Sequence, residues 1–166
     1  TIPLPVGAEP GALQATSDVN VSGIAPDQTG QTLSVTEFTT RTAQIIWTGA
    51  TDDLTAAGDL THQLYISTSN NMQTVDDVLA NGSPQGAPGA ALSLALESLT
   101  PGTLYYLSIV ARDAHGNASA LAPQQLTTDA FCGGDGQIAT PFEICTLENL
   151  RSMEDDLGAF YRLKNS

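Results

Sequence analysis

The side chains of this chain that could do chemistry are a few grouped carboxylates, two cysteines and two histidines. Asp52 and Asp53 stand together in a turn-rich segment, and Asp113 stands in another such segment with Asn117. Carboxylate and amide oxygens are the ligands that Ca²⁺ takes in proteins, and a carboxylate pair can also serve as acid and base. Aspartate and asparagine are also common turn formers, because their side chains bond to nearby backbone. The residue types alone are compatible with a calcium site, with an acid and base pair and with turn formation.

The two cysteines, Cys132 and Cys145, lie on either side of a glycine-rich turn. In an extracellular chain an even number of cysteines favours a disulfide, which here would close a loop and add about 3 kcal/mol of stability. A zinc site needs four ligands, and His62 and His115 both lie in a different part of the chain. The sequence therefore predicts that Cys132 and Cys145 are bonded to each other in an extracellular or cell-surface protein.

The sequence has none of the common short motifs of a nucleophilic, zinc-dependent or phosphate-binding enzyme. His115 lies between Asp113 and Gly116, in a polar stretch typical of a solvated turn. We therefore interpret the chain as non-catalytic and expect no certain cofactor, with Ca²⁺ as the one candidate ion.

The charge balance limits the classes of partner. The chain has 18 acidic residues against 5 basic ones, for a formal charge of -13. Such a field repels nucleic acid and anionic lipid, and no run of apolar residues is long enough to span a bilayer. We expect no nucleic acid, no membrane insertion, and a protein or a glycan at a surface as the partner.

Short runs of alternating apolar and polar residues follow one another between residues 33 and 128, with turn signals between them. Alternation of this kind predicts strands at 42–47, 62–67, 91–99 and 104–113. One helical turn or two should interrupt them, because Thr74 and Asp77 can cap a helix that stops at Gly82. In the longest run Tyr105 points to the same face as the apolar residues that follow it at every second position.

These strands also carry a family resemblance. Residues 99–107 read LTPGTLYYL, which contains the pattern L-x-P-x-T-x-Y, and residues 111–119 read ARDAHGNAS. Together with Trp47 on an early strand, they resemble a fibronectin type III domain of the bacterial extracellular kind. The resemblance implies a mainly β fold, an immunoglobulin-like β-sandwich over residues 31–128 with a small α/β C-terminal extension.

The same resemblance assigns structural roles. It implies that Trp47, Leu99, Pro101 and Tyr105 belong to the structural core, with the Tyr105 hydroxyl bonded to nearby backbone. His62 stands where the family usually has an aromatic residue, and we interpret it as a substitution at the edge of the core. In this topology the loops after the Trp47 and Tyr105 strands emerge at one end of the sandwich. We therefore expect Asp52, Asp53, Asp113 and Asn117 to lie together there, joined by calcium or acting as turn formers.

The segments on either side of the sandwich have a different composition. Residues 1–30 hold four prolines without sustained periodicity, which predicts a linker or arm with a short strand near 20–24. Residues 129–166 predict a disulfide-bearing connector, a strand at 141–145, a helix at 147–157 and a strand at 160–163. The helix should begin at Thr146 and bury Leu150, Met153 and Leu157 on one face.

This C-terminal stretch resembles the N-terminal cap of right-handed β-helix surface proteins. A two-stranded ribbon is marginal by itself in water, so we expect the segment to be truncated and its apolar face to be covered by further strands, by the sandwich or by a second copy of the chain. A homodimer of the fragment is one such outcome. The sequence therefore indicates a spacer or binding module of an adhesin-like bacterial protein. The alternative is an accessory domain of a secreted polysaccharide-active enzyme whose catalytic domain lies elsewhere.

Overall fold

The computed structural model describes residues 23–164, which form two antiparallel β-sheets packed face to face and a smaller C-terminal unit. The mainly β fold and the sandwich predicted from the sequence are confirmed. The elements in chain order are β1 (Leu33–Phe38), β2 (Ala43–Trp47), β3 (Thr61–Ser67), α1 (Val75–Asn81), β4 (Ser83–Gly89), β5 (Ser93–Leu96), β6 (Leu104–Arg112), β7 (Ala118–Ala120), β8 (Gln124–Thr127), β9 (Phe142–Ile144), α2 (Leu147–Arg151), a 3-10 turn (Ser152–Asp155) and β10 (Tyr161–Leu163).

The first sheet has the strand order β1-β2-β5, and the second has the order β4-β3-β6-β7 with β8 also paired to β6. Leu33 pairs with Trp47 at one end of the first sheet, and Phe38 pairs with Ala43 at the other. In the second sheet β7 pairs with the end of β6 and β8 with its beginning. The N–H of Asp129, just after β8, donates to the Thr39 carbonyl at 3.2 Å. The turn at residues 39–42 therefore lies at the end where β6 begins, and the loop after Trp47 lies at the end where β6 finishes.

The core between the sheets comes from the alternating faces of β2, β3 and β6. Its buried members are Leu33, Ala43, Ile45, Trp47, Leu64, Leu96, Leu99, Tyr105, Leu107, Ile109 and Leu126. The Tyr105 hydroxyl accepts a hydrogen bond of 2.9 Å from the backbone N–H of Thr100, which ties the turn before β6 to its strand. Pro101 differs from its expected place in the core, because it lies half-buried in that turn.

The outer face of β6 is covered as well. Val110 is 1% exposed and packs against Met72 and Val78, which belong to α1 and the loop before it. Thr74 begins this helix with a reciprocal cap: its hydroxyl accepts from Asp77 N–H, and the Asp77 carboxylate accepts from Thr74 N–H, each at 3.1 Å. The helix therefore forms a second, smaller core on the outside of the sheet.

Strand β4, at one edge of the second sheet, is a strand that the sequence analysis did not predict. Its sequence SPQGAPG contains Pro84 and Pro88, which cannot donate to a sheet ladder. Proline is tolerated on an edge strand, where one row of backbone groups has no neighbour to bond. The strand predicted at 91–99 is shorter than expected and ends at Leu96, because the chain then turns through Ser98, which has a positive φ of 58°.

In the C-terminal unit β9 and β10 pair in parallel, with Tyr161 opposite Phe142 and Leu163 opposite Ile144. The connection between them contains α2 and the 3-10 turn. Cys132 and Cys145 form a disulfide with their Cα atoms 6.1 Å apart, which joins the connector to the chain just after β9.

The helix predicted over 147–157 is wrong in length and in its buried face. It ends as an α-helix at Arg151 and continues only as the 3-10 turn. Leu150 is 49% exposed and Leu157 is 87% exposed, whereas Asn149 and Ser152 are buried. The buried face is polar because these two side chains bond to the backbone of the connector and of the sandwich.

At the N-terminal side, residues 1–22 lie outside the described part of the chain, and with them most of the strand predicted near 20–24. Among the residues that follow, Asp27 forms an isolated bridge with Thr51. Its N–H and C=O bond to the Thr51 backbone at 2.7 and 3.0 Å. The chain thus enters the sandwich beside the loop that follows β2.

Candidate functional site

The loop after β2 and the loop after β6 meet at one end of the sandwich. The Thr55 hydroxyl accepts a hydrogen bond of 3.3 Å from the backbone N–H of Ala114, which joins the two loops directly. Asp52 and Asp53 belong to the first loop, and Asp113 belongs to the second. The structure therefore puts the predicted side chains at the same end of the molecule.

The two carboxylates of the first loop bond to backbone N–H groups, and none of these bonds joins them to Asp113. Asp52 Oδ2 accepts from Leu54 N–H at 3.1 Å and from Thr55 N–H at 2.7 Å. Asp53 Oδ1 accepts from Ile24 N–H at 3.4 Å. The Asp52 bonds are those of a turn former, whereas the Asp53 bond joins the loop to the chain before β1.

Asp113 is the organising residue of the second loop. Its Oδ1 accepts from the backbone N–H groups of His115 at 2.9 Å and Asn117 at 2.8 Å, and its Oδ2 accepts from Asn117 Nδ2 at 2.7 Å. Burial acts to raise the pKa of Asp113, but these hydrogen bonds favour the charged form and leave the pKa below its ordinary value. The carboxylate therefore stays ionised at neutral pH and closes the turn.

Among residues 23–164 no three His, Cys, Asp or Glu side chains are grouped so that they could hold a metal ion. The arrangement of Asp52, Asp53, Asp113 and Asn117 favours the turn-forming alternative, and calcium binding stays a prediction to be tested. In the same part of the chain no helix is long and apolar enough to cross a membrane.

His62 is buried beside these loops, 4% exposed. Its Nε2 accepts a hydrogen bond of 3.3 Å from Ala50 N–H, so the neutral ring carries its proton on Nδ1, which is buried beside the Gly89 backbone. Burial lowers the pKa of His62 below its usual value. The residue is a neutral member of the core edge that fixes the beginning of the loop after β2.

At the opposite end of the sandwich the C-terminal unit docks on the turn between β1 and β2. Arg41 Nη2 lies 2.9 Å from Asp156 Oδ2, the Thr39 hydroxyl donates to Asp155 Oδ2 at 2.6 Å, and Thr40 N–H donates to Ser152 Oγ at 3.4 Å. These three contacts join a turn of the sandwich to the 3-10 turn and the residue after it. Sequence reasoning missed this junction, because isolated polar residues in a turn leave no periodic signal.

Asn149 connects three segments within the C-terminal unit. Its side chain, 2% exposed, donates from Nδ2 to the Ala130 carbonyl at 3.0 Å and accepts from Cys145 N–H at 3.4 Å. It therefore links α2 to the connector and to the end of β9, next to the disulfide. The one available sequence signal was an asparagine three residues after the capping residue Thr146.

Between the docked unit and the sandwich lies an open groove of about 350 Å³. Its lining comes from the β1–β2 turn, the turn before β6, the connector and β9, and includes Arg41, Pro101, Phe131, Asp135 and Phe142. The rings of Phe131 and Phe142 stack with their centroids 4.3 Å apart, and Tyr161 meets both of them edge-on or tilted. The groove is a concave surface that neither part of the chain forms alone.

No family model matches the sequence, and no curated protein matches it. Solved structures similar to the chain include fibronectin type III domains. A domain of the human fibronectin type III domain containing protein 3 is 13% identical, with 65% of this chain and 87% of that chain covered and a TM-score of 0.47. The fibronectin type III domain of the human collagen alpha-1(XX) chain is 20% identical, with 70% and 95% covered and a TM-score of 0.46.

Proposed function

We propose that this chain is a non-catalytic, extracellular spacer and binding module of a bacterial adhesin-like surface protein. The observation that carries the proposal is the docking of the C-terminal unit on the β1–β2 turn through Arg41, Thr39 and Thr40. Domains joined only by a linker move independently, whereas these contacts hold the unit at one angle and the disulfide cross-links it internally. A module of this kind sets the distance and direction of whatever follows it.

The chemistry of the surface supports an extracellular location. A disulfide between Cys132 and Cys145 is stable in oxidising compartments and rare in reducing ones. A formal charge of -13 keeps such a surface soluble and discourages contact with nucleic acid. Both features agree with a protein exposed outside the cell.

Two features of the C-terminal unit support the proposal that a right-handed β-helix begins there. Its two strands are parallel and are joined by a helical crossover, whereas all named strand pairs of the sandwich are antiparallel. The unit also exposes large apolar side chains, among them Leu157, Leu163 and Ile138 at 87, 72 and 76%. Parallel sheets are normally covered on both faces, so further parallel strands would cover these residues.

The experiment that tests the spacer role is a measurement of relative orientation. Residual dipolar couplings from β6 and from α2 of the whole chain should fit one alignment tensor if the two parts form one body. The double change Asp155→Ala, Asp156→Ala should separate the tensors, because it removes two of the three polar contacts made by Thr39, Thr40 and Arg41 with residues 152–156. Glu154→Ala is the matched control, since Glu154 is an exposed acid beside them. Separate tensors in the unchanged protein would refute the proposal.

One observation favours the second candidate, an accessory domain of a secreted polysaccharide-active enzyme. The groove combines an aromatic wall with a cation and a carboxylate, which is a surface suited to a polyhydroxylated ligand. The parent gene discriminates the two roles: repeated short coils after this module indicate an adhesin, and a catalytic domain indicates an enzyme.

A further inference from the structure

The groove at the junction has a cation fixed in its wall. Arg41 lines the groove and lies over the Phe142 ring, 5.7 Å from its centroid. Its Nη2 is held by Asp156, and the side chain as a whole is 22% exposed. The exposed part of the guanidinium can therefore donate to an acceptor atom placed in the groove.

The groove also offers a fixed acceptor. Asp135 of the C-terminal unit lines it, and its Oδ1 accepts from the Thr140 hydroxyl and from Gln137 N–H. These hydrogen bonds, that of Thr140 foremost, hold the pKa of Asp135 below its usual range. The carboxylate is therefore ionised at neutral pH and is held in place by its own turn.

The third component is the aromatic wall. Phe131 is half-buried and is stacked on the buried ring of Phe142, so its position is determined by packing. An immobilised ring can cover the C–H face of a flat ligand without a further loss of side-chain freedom. The groove thus combines an apolar ring with a cation and a carboxylate.

We infer that this groove binds a neutral sugar, with the C–H face of one ring against Phe131 and adjacent hydroxyls bonded to Arg41 and Asp135. A hydroxyl can accept from the arginine N–H while its neighbour donates to the carboxylate. An anionic ligand would face the carboxylate and the overall charge of -13, and a cationic ligand would face Arg41. Small-molecule pockets begin at about 300 Å³, so a groove of about 350 Å³ fits one or two rings. This inference rests on the proposed binding function and assigns its ligand class.

The test uses the whole chain labelled with ¹⁵N and titrated separately with the methyl glycosides of glucose, galactose, mannose and N-acetylglucosamine. At least one of them should shift the amide signals of Phe131, Gly134 and Asp135 in a saturable way. Asp135→Asn should weaken that binding roughly tenfold, because a charge-assisted hydrogen bond becomes a neutral one. Ala130→Trp should abolish it by filling the groove while keeping the Ala130 backbone bond to Asn149. Methyl glucuronide, which carries a carboxylate, should bind more weakly than the neutral glycosides.

Leu163→Ser is the matched control, because Leu163 is an exposed residue of the same unit that does not line the groove. Its affinity should equal that of the unchanged protein. No saturable shift with any glycoside, shifts confined to other surfaces, or full binding in the Ala130→Trp variant would overturn the inference. Because the orientation experiment does not depend on sugar, one alignment tensor without sugar binding would refute the ligand and leave the spacer role intact.

Discussion

Arg41 and Asp156 form an ion pair of 2.9 Å that connects the first turn of the sandwich to the residue after the last helical turn of the chain. Both side chains are partly exposed, at 22 and 33%, and pairs of this kind contribute about 0.2–1 kcal/mol. The pair alone therefore does not hold the junction. The hydrogen bonds of Thr39 and Thr40 beside it help to fix the orientation of the C-terminal unit on the sandwich.

Tyr105→Phe should destabilise the sandwich by about 1–3 kcal/mol, because it leaves the Thr100 N–H without its 2.9 Å acceptor. Urea unfolding followed by Trp47 fluorescence measures the change. Tyr106→Phe is the control, since among the described residues the Tyr106 hydroxyl has no hydrogen bond. Equal midpoints in the two variants would contradict the role given to Tyr105.

Asn149→Ala should loosen the C-terminal unit, by about 1–3 kcal/mol, because the Ala130 carbonyl and Cys145 N–H lose their buried partner. Leu150→Ala should cost less than about 0.5 kcal/mol, as expected of a surface substitution. Hydrogen exchange of α2 and β9 measures both changes. A larger loss in Leu150→Ala would mean that the apolar helix face predicted from the sequence is the buried one.

His62 should make the sandwich less stable as the pH falls below about 6.5, the value at which an unfolded histidine takes up its proton. Burial lowers the folded-state pKa, so between the two values the unfolded state binds more protons and gains stability relative to the native state. Thermal unfolding from pH 7.5 to 5 measures the slope. His62→Gln should flatten it, while His115→Gln, a change at an exposed turn residue, should retain it.

Asp113→Ala should lower the melting temperature, because the N–H groups of His115 and Asn117 lose their acceptor. Asp59→Ala removes the same charge from an exposed position and is the control. Scans in chelator and in excess calcium complete the test. Coinciding scans are the expected result of turn-forming carboxylates; a higher melting temperature with calcium would show an ion that selects the folded state.

The exposed apolar residues of the C-terminal unit should make the isolated chain self-associate at high concentration. The large ones are Ile138, Leu147, Leu150, Leu157, Phe160 and Leu163. Light scattering over a concentration series should show the association, and Leu157→Ser with Leu163→Ser should reduce it without lowering the melting temperature. A monomer at every concentration, with no binding of a hydrophobic dye, would mean that this surface is too dispersed to act as a patch.

Local sequence patterns were sufficient to predict the sandwich, whereas polar contacts between distant residues leave no pattern in the sequence. The alternation around Trp47 and Tyr105 predicts inward faces because strand periodicity is a property of the backbone, and the cap at Thr74 depends on residues only three apart. Strand β4 escaped prediction because its prolines argue against a strand unless its edge position is already known. The buried face of α2 escaped because Asn149 and Ser152 are polar residues that become buried only when the unit docks. The groove escaped for the same reason, since its lining comes from segments distant in sequence.

The chain enters and leaves the sandwich at opposite ends, and this has a mechanical consequence. A pull on the segment before β1 acts at Leu33, beside the loops, whereas a pull on the connector acts at Thr127, beside the β1–β2 turn. The two points are separated by the length of β6, about 30 Å for a nine-residue strand. Force between them slides β1 along β2 and β8 along β6, so the hydrogen bonds of each pair are loaded together in shear. Under tension the hydrogen bonds of a strand pair must therefore break together, and not one after another from one end.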